Sequence, residues 1–340
     1  MLPTTHKPIM VLGEFWGEAE ERTGRPFEGP AGSVLFSLLK QVGIDRKDCY
    51  FTNVFNARPQ NNRIESFCGP KATSIEGFAR PIIPGKYVQT EHSHHIDRLF
   101  EELDRVRPNV VIALGNTALW ALTKKTGIKK YRGSPTISHC QRYKIIPTWG
   151  PASVLRQWEL RPIVMADFAK ARRQCEFPEL RRPVRYLYLE PDLKDIQDFY
   201  EKFLLDAPFV SLDIETAAGT ITEVGVGTST HAMVIPFYDR AAEDGNYWPT
   251  AAKERKAWDL VRMICKECPT IGQNFSYDMQ YLWRTVGIPC PKFLGDTMLM
   301  HHSLQPEMEK GLGFLASIYT DEPARKFMRA EHGHLKKGEE

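Results

Sequence analysis

The stretch Ser211-Leu-Asp-Ile-Glu-Thr216 decides the fold of the C-terminal half of this chain. It closes an apolar run that begins at Ala207, and such a run predicts a buried strand. Residues two apart on a strand point to the same face, so Asp213 and Glu215 project together. Two neighbouring carboxylates repel each other unless a cation lies between them, and paired oxygen ligands suit Mg²⁺ or Mn²⁺. The alternative interpretation is an aspartate that caps the next element.

A second motif, Asn274-Phe-Ser-Tyr-Asp278, follows the strand-like Pro269-Thr-Ile-Gly272 and opens a helical stretch. With Asp213-Ile-Glu215 and the downstream Gly295-Asp-Thr-Met-Leu299, it resembles the motifs of the DnaQ-like 3′-5′ exonucleases. The resemblance is closest to the proofreading domain of family A DNA polymerases and covers residues 185–340. It implies a ribonuclease H-like mixed α/β domain.

The resemblance also implies a set of ligands. In that family, four acidic residues hold two metal ions that activate a water and stabilise the leaving oxygen. By position, Asp213, Glu215 and Asp278 are three of these catalytic metal ligands, for Mg²⁺ or Mn²⁺, and Asn274 is a positioning residue. The fourth belongs to a Tyr-x-x-x-Asp motif, but Tyr319 has Pro323 at that spacing. We therefore expect a domain truncated before this motif, with the missing part either supplied by another chain or lost.

The N-terminal half carries a glycine-rich segment between Gly13 and Gly32, Gly-Glu-Phe-Trp-Gly-Glu-Ala-Glu-Glu-Arg-Thr-Gly-Arg-Pro-Phe-Glu-Gly-Pro-Ala-Gly. With 52–54, 57–63, 113–119 and 131–133, it resembles the uracil-DNA glycosylase superfamily, family 4 in particular, over residues 8–171. The resemblance implies base flipping into a pocket. By position, Glu14 activates the attacking water, Phe27 stacks on the uracil and Asn53 binds its edge. The alternatives are an Asn53 that caps a turn and a Phe27 that belongs to the core.

The chain departs from that family in its last motif. The family has His-Pro, small residues and then Leu-Arg, whereas this chain has Gly150-Pro-Ala-Ser-Val-Leu-Arg156. Arg156 matches the final arginine and is assigned a positioning role. The histidine would stabilise charge on the departing uracil, and loss of one such donor costs about 100- to 1000-fold in rate. Phe15-Trp16 also replaces a small residue and proline, which narrows the expected pocket.

The family 4 iron–sulfur cluster needs four cysteines, and no cysteine precedes Gly13. Cys68 alone matches a family position, and one ligand does not hold a cluster. We expect no iron–sulfur cluster. Seven scattered cysteines argue against a disulfide framework and for a reducing compartment.

The 340 residues fit two domains. Strands alternate with helices in the first half, which predicts a parallel four-stranded α/β/α sandwich over residues 1–171. In such a sheet, sites lie beyond the carboxyl ends of the strands. An Arg- and Pro-rich stretch, 172–184, is the predicted linker, and 185–340 is the second domain.

The composition limits the class of protein and its expected location. Hydrophobic residues make up 42% and charged residues 26%, with no long apolar run and no signal peptide. The expected location is the cytoplasm, or the host cytoplasm if a phage encodes the chain, with no membrane partner. A net charge of +3 is too small to indicate nucleic acid by itself.

Three functions remain open. The first is the N-terminal part of a phage or bacterial family A-type DNA polymerase, acting on single-stranded DNA, 3′ ends or uracil-containing template, with the polymerase remainder or other replication proteins as partners. The second is a non-catalytic DNA-binding and docking module. The third, ranked lowest because of Gly150, is a free-standing uracil-DNA glycosylase. Whether either domain is an active enzyme is left open.

Overall fold

The computed structural model describes residues 6–78 and 80–324 and divides the chain into two units. The first unit contains the residues up to Arg181 together with those from Ala316 onward, and the second is Arg182–Leu315. The second unit thus ends earlier than the predicted domain 185–340, because described residues after Leu315, such as Ser317 and Thr320, contact the first unit. The last helix before Arg181 runs to Gln174, which is inside the predicted linker.

The first unit alternates strands and helices along most of its length. Its strands are β1 Ile9–Phe15, β2 Cys49–Phe55, β3 Cys68–Gly69, β4 Tyr87–Val88, β5 Val110–Leu114, β6 Thr136–Ile137 and β7 Lys144–Thr148. Its helices are α1 Glu18–Thr23, α2 Pro30–Gln41, α3 Ser93–Val106, α4 Gly115–Thr123, α5 Ile128–Tyr131, α6 Pro151–Arg156 and α7 Arg161–Gln174.

The main sheet of the first unit has the order β2-β1-β5-β7-β6. The first four strands are parallel, which confirms the predicted α/β class, and the two-residue β6 adds an antiparallel edge that is too short to show in the sequence. β5 is buried along its whole length, as expected for a central parallel strand covered on both faces. Alternate residues of β1 point into two different hydrophobic cores. Met10 and Leu12 belong to one core, and Ile9 and Val11 belong to the other.

The second unit is a mixed α/β domain. Its strands are β8 Tyr186–Tyr188, β9 Val210–Ala217, β10 Thr220–Gly227, β11 His231–Pro236, β12 Thr270–Gly272 and β13 Phe293–Asp296. Its helices are α8 Leu193–Phe199, α9 Ala251–Glu267, α10 Ser276–Val286 and α11 Thr297–Leu304. A further helix, α12 Leu312–Tyr319, begins in this unit and ends in the first one.

The sheet of the second unit has the order β13-β12-β9-β10-β11-β8. β9, β10 and β11 form the predicted antiparallel meander, and β12, β13 and β8 join in parallel. β9 alternates buried and exposed residues, so Leu212 and Ile214 enter the core and Asp213 and Glu215 stay on the other face. Among the residues that the structure describes, no helix has the length and apolar character to cross a membrane.

Candidate functional site

The first candidate site lies at the carboxyl edge of the parallel sheet. β1, β2, β5 and β7 run in the same direction, so the residues at and just after their ends meet at this edge. Gly13 on β1 lies directly opposite Asn53 on β2 in the strand register. Four separate segments therefore supply this edge with side chains, although they are far apart in the sequence.

Glu14 is the acidic residue at this edge. The Thr117 hydroxyl, in the first turn of α4, donates a hydrogen bond to Glu14 Oε1 at 2.5 Å. Burial raises the pKa of the Glu14 carboxyl above its ordinary value, while the Thr117 hydrogen bond and the charge of Arg156 act in the opposite direction. A carboxyl held in this way can orient a water and accept its proton. Thr117 lies three residues after the end of β5 and so belongs to the same edge, and its contact with Glu14 was not predicted from the sequence.

Phe27 and Asn53 converge on Gly13. A Cβ atom added to Gly13 would lie 2.1 Å from Asn53 Oδ1 and 2.8 Å from Phe27 Cζ. Phe27 adopts a left-handed backbone with φ of 62°, which is a strained conformation for a bulky residue. Its carbonyl oxygen would be only 1.8 Å from a Cβ at Gly32, so that glycine allows α2 to start beside it. A ring and an amide therefore meet at Gly13, the residue before Glu14 on β1, and Phe27 and Asn53 are both buried.

This convergence gives a first prediction. Gly13→Ala should destabilise the first unit by about 1–3 kcal/mol, because the added methyl group overlaps Asn53 and Phe27. The measurement is chemical unfolding followed by circular dichroism. Gly225→Ala is the matched control, since a Cβ there meets nothing nearer than the Asp213 carbonyl oxygen at 3.7 Å. Equal stability of the two variants would contradict the close approach at Gly13.

Arg98 holds the end of β2, and the sequence analysis missed this role too. From α3, its guanidinium donates to the carbonyl oxygens of Asn53 at 2.6 Å and Val54 at 2.9 Å, and to Thr52 Oγ1 at 3.2 Å. Glu102, one turn later, accepts from the same guanidinium at 2.7 Å. Bidentate recognition of backbone carbonyls fixes the strand that carries Asn53.

Gly150 stands where the family motif has histidine. It is the N-cap of α6, with φ of −71° and ψ of 153°, an extended conformation open to any residue. A Cβ at this position would meet only the Leu114 carbonyl carbon, at 4.0 Å. Among the residues that the structure describes, no side chain therefore lies within 4 Å of a Cβ placed at Gly150.

The second candidate site lies on β9 and α10. β12 pairs with β9 only at Val210 and Ser211, so further along the strand the Ile214 amide is available to another acceptor. That acceptor is Asp278 Oδ1 at 2.8 Å, in the first turn of α10. The structure thus brings Asp278 against the strand residue that lies between Asp213 and Glu215.

The electrostatics of this second site follow from the packing. Asp278 is 3% exposed, and burial together with the nearby charge of Asp213 raises its pKa to about 6, against the opposing hydrogen bond from Ile214. The two carboxylates repel each other, and a divalent cation bound between them would offset that repulsion. Glu215 projects from the same face of β9 as Asp213.

Asp296 and Asn274 shape the turn before α10. Asp296 accepts from the backbone amides of Asn274, Phe275 and Met298 at 2.8–2.9 Å, which makes it a structural residue. Asn274 has φ of 57°, a left-handed conformation that asparagine adopts more readily than most residues. The substrate-positioning role assigned to Asn274 stays a prediction.

A metal ion would find fewer ligands here than the family pattern implies. Within 6–78 and 80–324, no three His, Cys, Asp or Glu side chains are grouped closely enough to hold a metal ion. The charge of Asp213 on β9 raises the pKa of Asp278 on α10, and Glu215 is a further carboxylate on β9. The donor chemistry fits Mg²⁺ or Mn²⁺, and the arrangement fits weak binding.

Comparisons with known proteins agree with both halves. The family model described as uracil DNA glycosylase superfamily matches residues 2–174, and a model of the DNA polymerase A type described as 3′-5′ exonuclease matches residues 192–331.

Individual relatives show the same division. The type-4 uracil-DNA glycosylase of Thermotoga maritima is 38% identical over 168 residues, which cover 48% of this chain and 76% of that protein. The type-4 enzyme of Sulfurisphaera tokodaii is 32% identical over 182 residues, 50% of this chain and 71% of its own length. A DNA polymerase of Bacillus phage SP01 is 25% identical over 327 residues, which are 86% of this chain but 32% of the polymerase. The chain belongs to the uracil DNA glycosylase superfamily through its first half, and that half is fused to a 3′-5′ exonuclease domain of the family A polymerase type.

Proposed function

We propose that this chain is the N-terminal part of a family A-type DNA polymerase, in which a glycosylase-like pocket binds a DNA base without efficient excision and an exonuclease-type site binds metal and DNA 3′ ends. The observation that supports the proposal is that Phe27 and Asn53 meet at Gly13, beside Glu14 in the sequence, at the sheet edge to which the loop of Gly150 also belongs. Similarity to a phage DNA polymerase over most of the chain supports the polymerase context.

In the glycosylase-like pocket, recognition and chemistry depend on different residues. Asn53 presents an amide that can hydrogen-bond a base edge, and Phe27 presents an apolar ring suited to stacking. Glu14 holds the proton-accepting position for a water. Gly150 offers no side-chain donor for negative charge on a departing base, so the step that breaks the glycosidic bond lacks the electrostatic partner that the family's histidine supplies.

In the exonuclease-type site, the chain's own residues provide binding. Asp213, Glu215 and Asp278 would hold Mg²⁺ or Mn²⁺, and the ion, when bound, supplies a polarised phosphate and an activated water. The Ile214 amide fixes the Asp278 carboxylate, and the Asp296 carboxylate fixes the turn that precedes it. We expect weak or absent 3′-5′ degradation by this chain alone, because Tyr319 has Pro323 where the family motif has its fourth carboxylate.

A second candidate function, a non-catalytic DNA-binding and docking module, has its own support. Gly150 lacks the charge partner of the first reaction, and the described part of the second site lacks a compact set of three ligands. Both candidates require DNA binding, and they differ in whether metal binding and residual chemistry accompany it.

DNA binding can be tested through its salt dependence. Affinity for single-stranded DNA should fall steeply from low to moderate salt, because each phosphate contact contributes a slope of about −0.7 to the plot of log affinity against log salt. Arg156, exposed and within electrostatic reach of Glu14, is expected to be one contact, so Arg156→Ala should reduce the slope by about 0.7. Fluorescence anisotropy at several salt concentrations measures both effects.

Lys40→Ala is the control for that titration. Lys40 is exposed in the last turn of α2, whose N-terminus faces the carboxyl edge, so it lies at the far end of the helix. Its loss should leave the slope unchanged. A flat salt dependence of the natural chain, or no binding at low salt, would argue against the DNA-binding proposal.

A further inference from the structure

The first unit contains a buried cluster of charges that the chain contacts again after the second unit ends at Leu315. Arg132, Asp167 and Lys170 are 4%, 0% and 1% exposed, respectively. Buried charges are costly unless each one is paired and hydrogen-bonded. Here, partners for both cations come from residues 316–324, which we call the returning segment.

Lys170 is the main receptor for the returning segment. Its ammonium donates to the carbonyl oxygens of Ser317 at 2.7 Å, Thr320 at 2.5 Å and Gly133 at 2.6 Å. Three donors thus meet three acceptors, two of which are on the returning segment. Loss of that segment would leave two donors of a buried cation without these acceptors.

Arg132 and Gln174 bind the same segment. The Arg132 guanidinium donates to Ser317 Oγ at 2.6 Å, and Gln174 Nε2 donates to Asp321 Oδ2 at 2.9 Å. Gly133 permits the close approach: it has φ of +70°, and a Cβ there would lie 2.6 Å from the Ser317 carbonyl oxygen. The returning segment is therefore bound by specific hydrogen bonds and by close backbone packing at Gly133.

The cluster also connects to the loop that carries Gly150. Asp167 accepts two hydrogen bonds from Arg132 and one from Thr148 Oγ1 at 2.6 Å, and Thr148 is the last residue of β7. The neighbouring Trp149 packs on an apolar cluster of Leu119, Ile128 and Tyr131, and Ala324 of the returning segment packs on the same cluster. Thr148 is therefore held by the hydrogen bonds of Asp167, whose partner Arg132 also binds the returning segment. Trp149 is held by the apolar cluster on which the returning segment also packs.

We propose that the returning segment is a built-in ligand of the glycosylase-like unit and that it holds the 148–150 loop in place. The consequence is that the DNA-facing edge of this unit depends on residues that follow the second unit in the sequence, at the end of the stretch that matches the exonuclease model. The effect on DNA rests on the function proposed above, whereas docking of the segment and order of the loop do not.

The test uses the full chain with a specific protease site inserted between residues 305 and 311. After cleavage, the C-terminal piece should stay bound to the natural chain on size-exclusion chromatography and should separate from the Lys170→Met variant. Loss of hydrogen bonds to a charged group should weaken retention by at least about tenfold. Ser317→Ala, which removes the hydroxyl that accepts from Arg132, should give an intermediate loss if Lys170→Met folds poorly. Lys40→Met, at an exposed lysine, is the matched control and should retain the piece.

Hydrogen exchange followed by mass spectrometry tests whether the returning segment holds the 148–150 loop in place. Amides of 144–156 should exchange faster once the piece is released, with no DNA present. Release of the piece from the natural chain directly after cleavage, or equal exchange of 144–156 in the bound and released states, would overturn the proposal. Failure of DNA binding with these two results intact would count against the proposed function alone.

Discussion

Gly150→His is expected to raise uracil excision by about 100- to 1000-fold over the natural chain. The new imidazole would supply a hydrogen-bond donor for negative charge on the departing base, which is the one partner missing from the glycosylase-like edge. The backbone accepts the change without strain, since Gly150 is extended and its Cβ position is open. An extended residue is also what the following Pro151 requires.

The measurement is single-turnover cleavage of a uracil-bearing oligonucleotide, with alkaline cleavage of abasic sites read on a gel. Gly150→Ala is the control and should show no gain. Adding Glu14→Gln to Gly150→His should remove the gain, because the carboxylate that orients the water is lost. No gain from Gly150→His would mean that the pocket is closed, as the bulky Trp16 would make it, and that this domain is structural.

The same variant has an expected pH dependence. Glu14 must be ionised to accept a proton, and burial raises its pKa above the ordinary value of a glutamate. The acid limb of the rate profile should therefore lie at higher pH than an exposed glutamate would give. An acid limb at the ordinary value would contradict the buried position of Glu14.

Asp213→Ala is expected to weaken Mn²⁺ binding by at least about 10- to 100-fold. Loss of a residue that only hydrogen-bonds to a metal ligand already costs that much affinity, and Asp213 is a proposed ligand itself. Asp213 and Asp278 are close enough for the charge of one to raise the pKa of the other, so removing either carboxylate removes half of the attractive pair. Isothermal titration calorimetry of the natural chain should show one weak site per chain.

Asp206→Ala is the control for calorimetry, because Asp206 is an exposed carboxylate of the same unit. It should bind Mn²⁺ as the natural chain does. Equal binding by Asp213→Ala and the natural chain would place the metal elsewhere or show that the second unit holds none.

Much of the fold could be predicted from the sequence, for identifiable reasons. Continuous apolar runs such as Val110–Leu114 indicated central parallel strands, and the spacing of Asp213 and Glu215 correctly placed both on one face of β9. Short elements gave no such signal: Thr136–Ile137 is too brief to show a period. The return of the chain at Ala316 is fixed by long-range contacts of Lys170 and Arg132, which local pattern does not encode.

The sites were predictable only in part. The resemblance to the uracil-DNA glycosylase superfamily named Glu14, Phe27 and Asn53, and the structure brings the last two together around Gly13. Thr117 and Arg98 were missed because each acts from a helix on a strand that is distant in the sequence. The grouping of the three carboxylates around a metal is looser than the motif implied, and their role stays a prediction.

The central claim is that this chain recognises uracil in DNA but scarcely excises it. The most direct test places 2-aminopurine next to uracil in a duplex and follows its fluorescence when the natural chain is added. The account predicts a larger fluorescence rise than with a thymine duplex, because the uracil leaves the stack, while alkaline treatment reveals almost no abasic sites over the same period. Equal fluorescence for the uracil and thymine duplexes, or rapid formation of abasic sites by the natural chain, would contradict it.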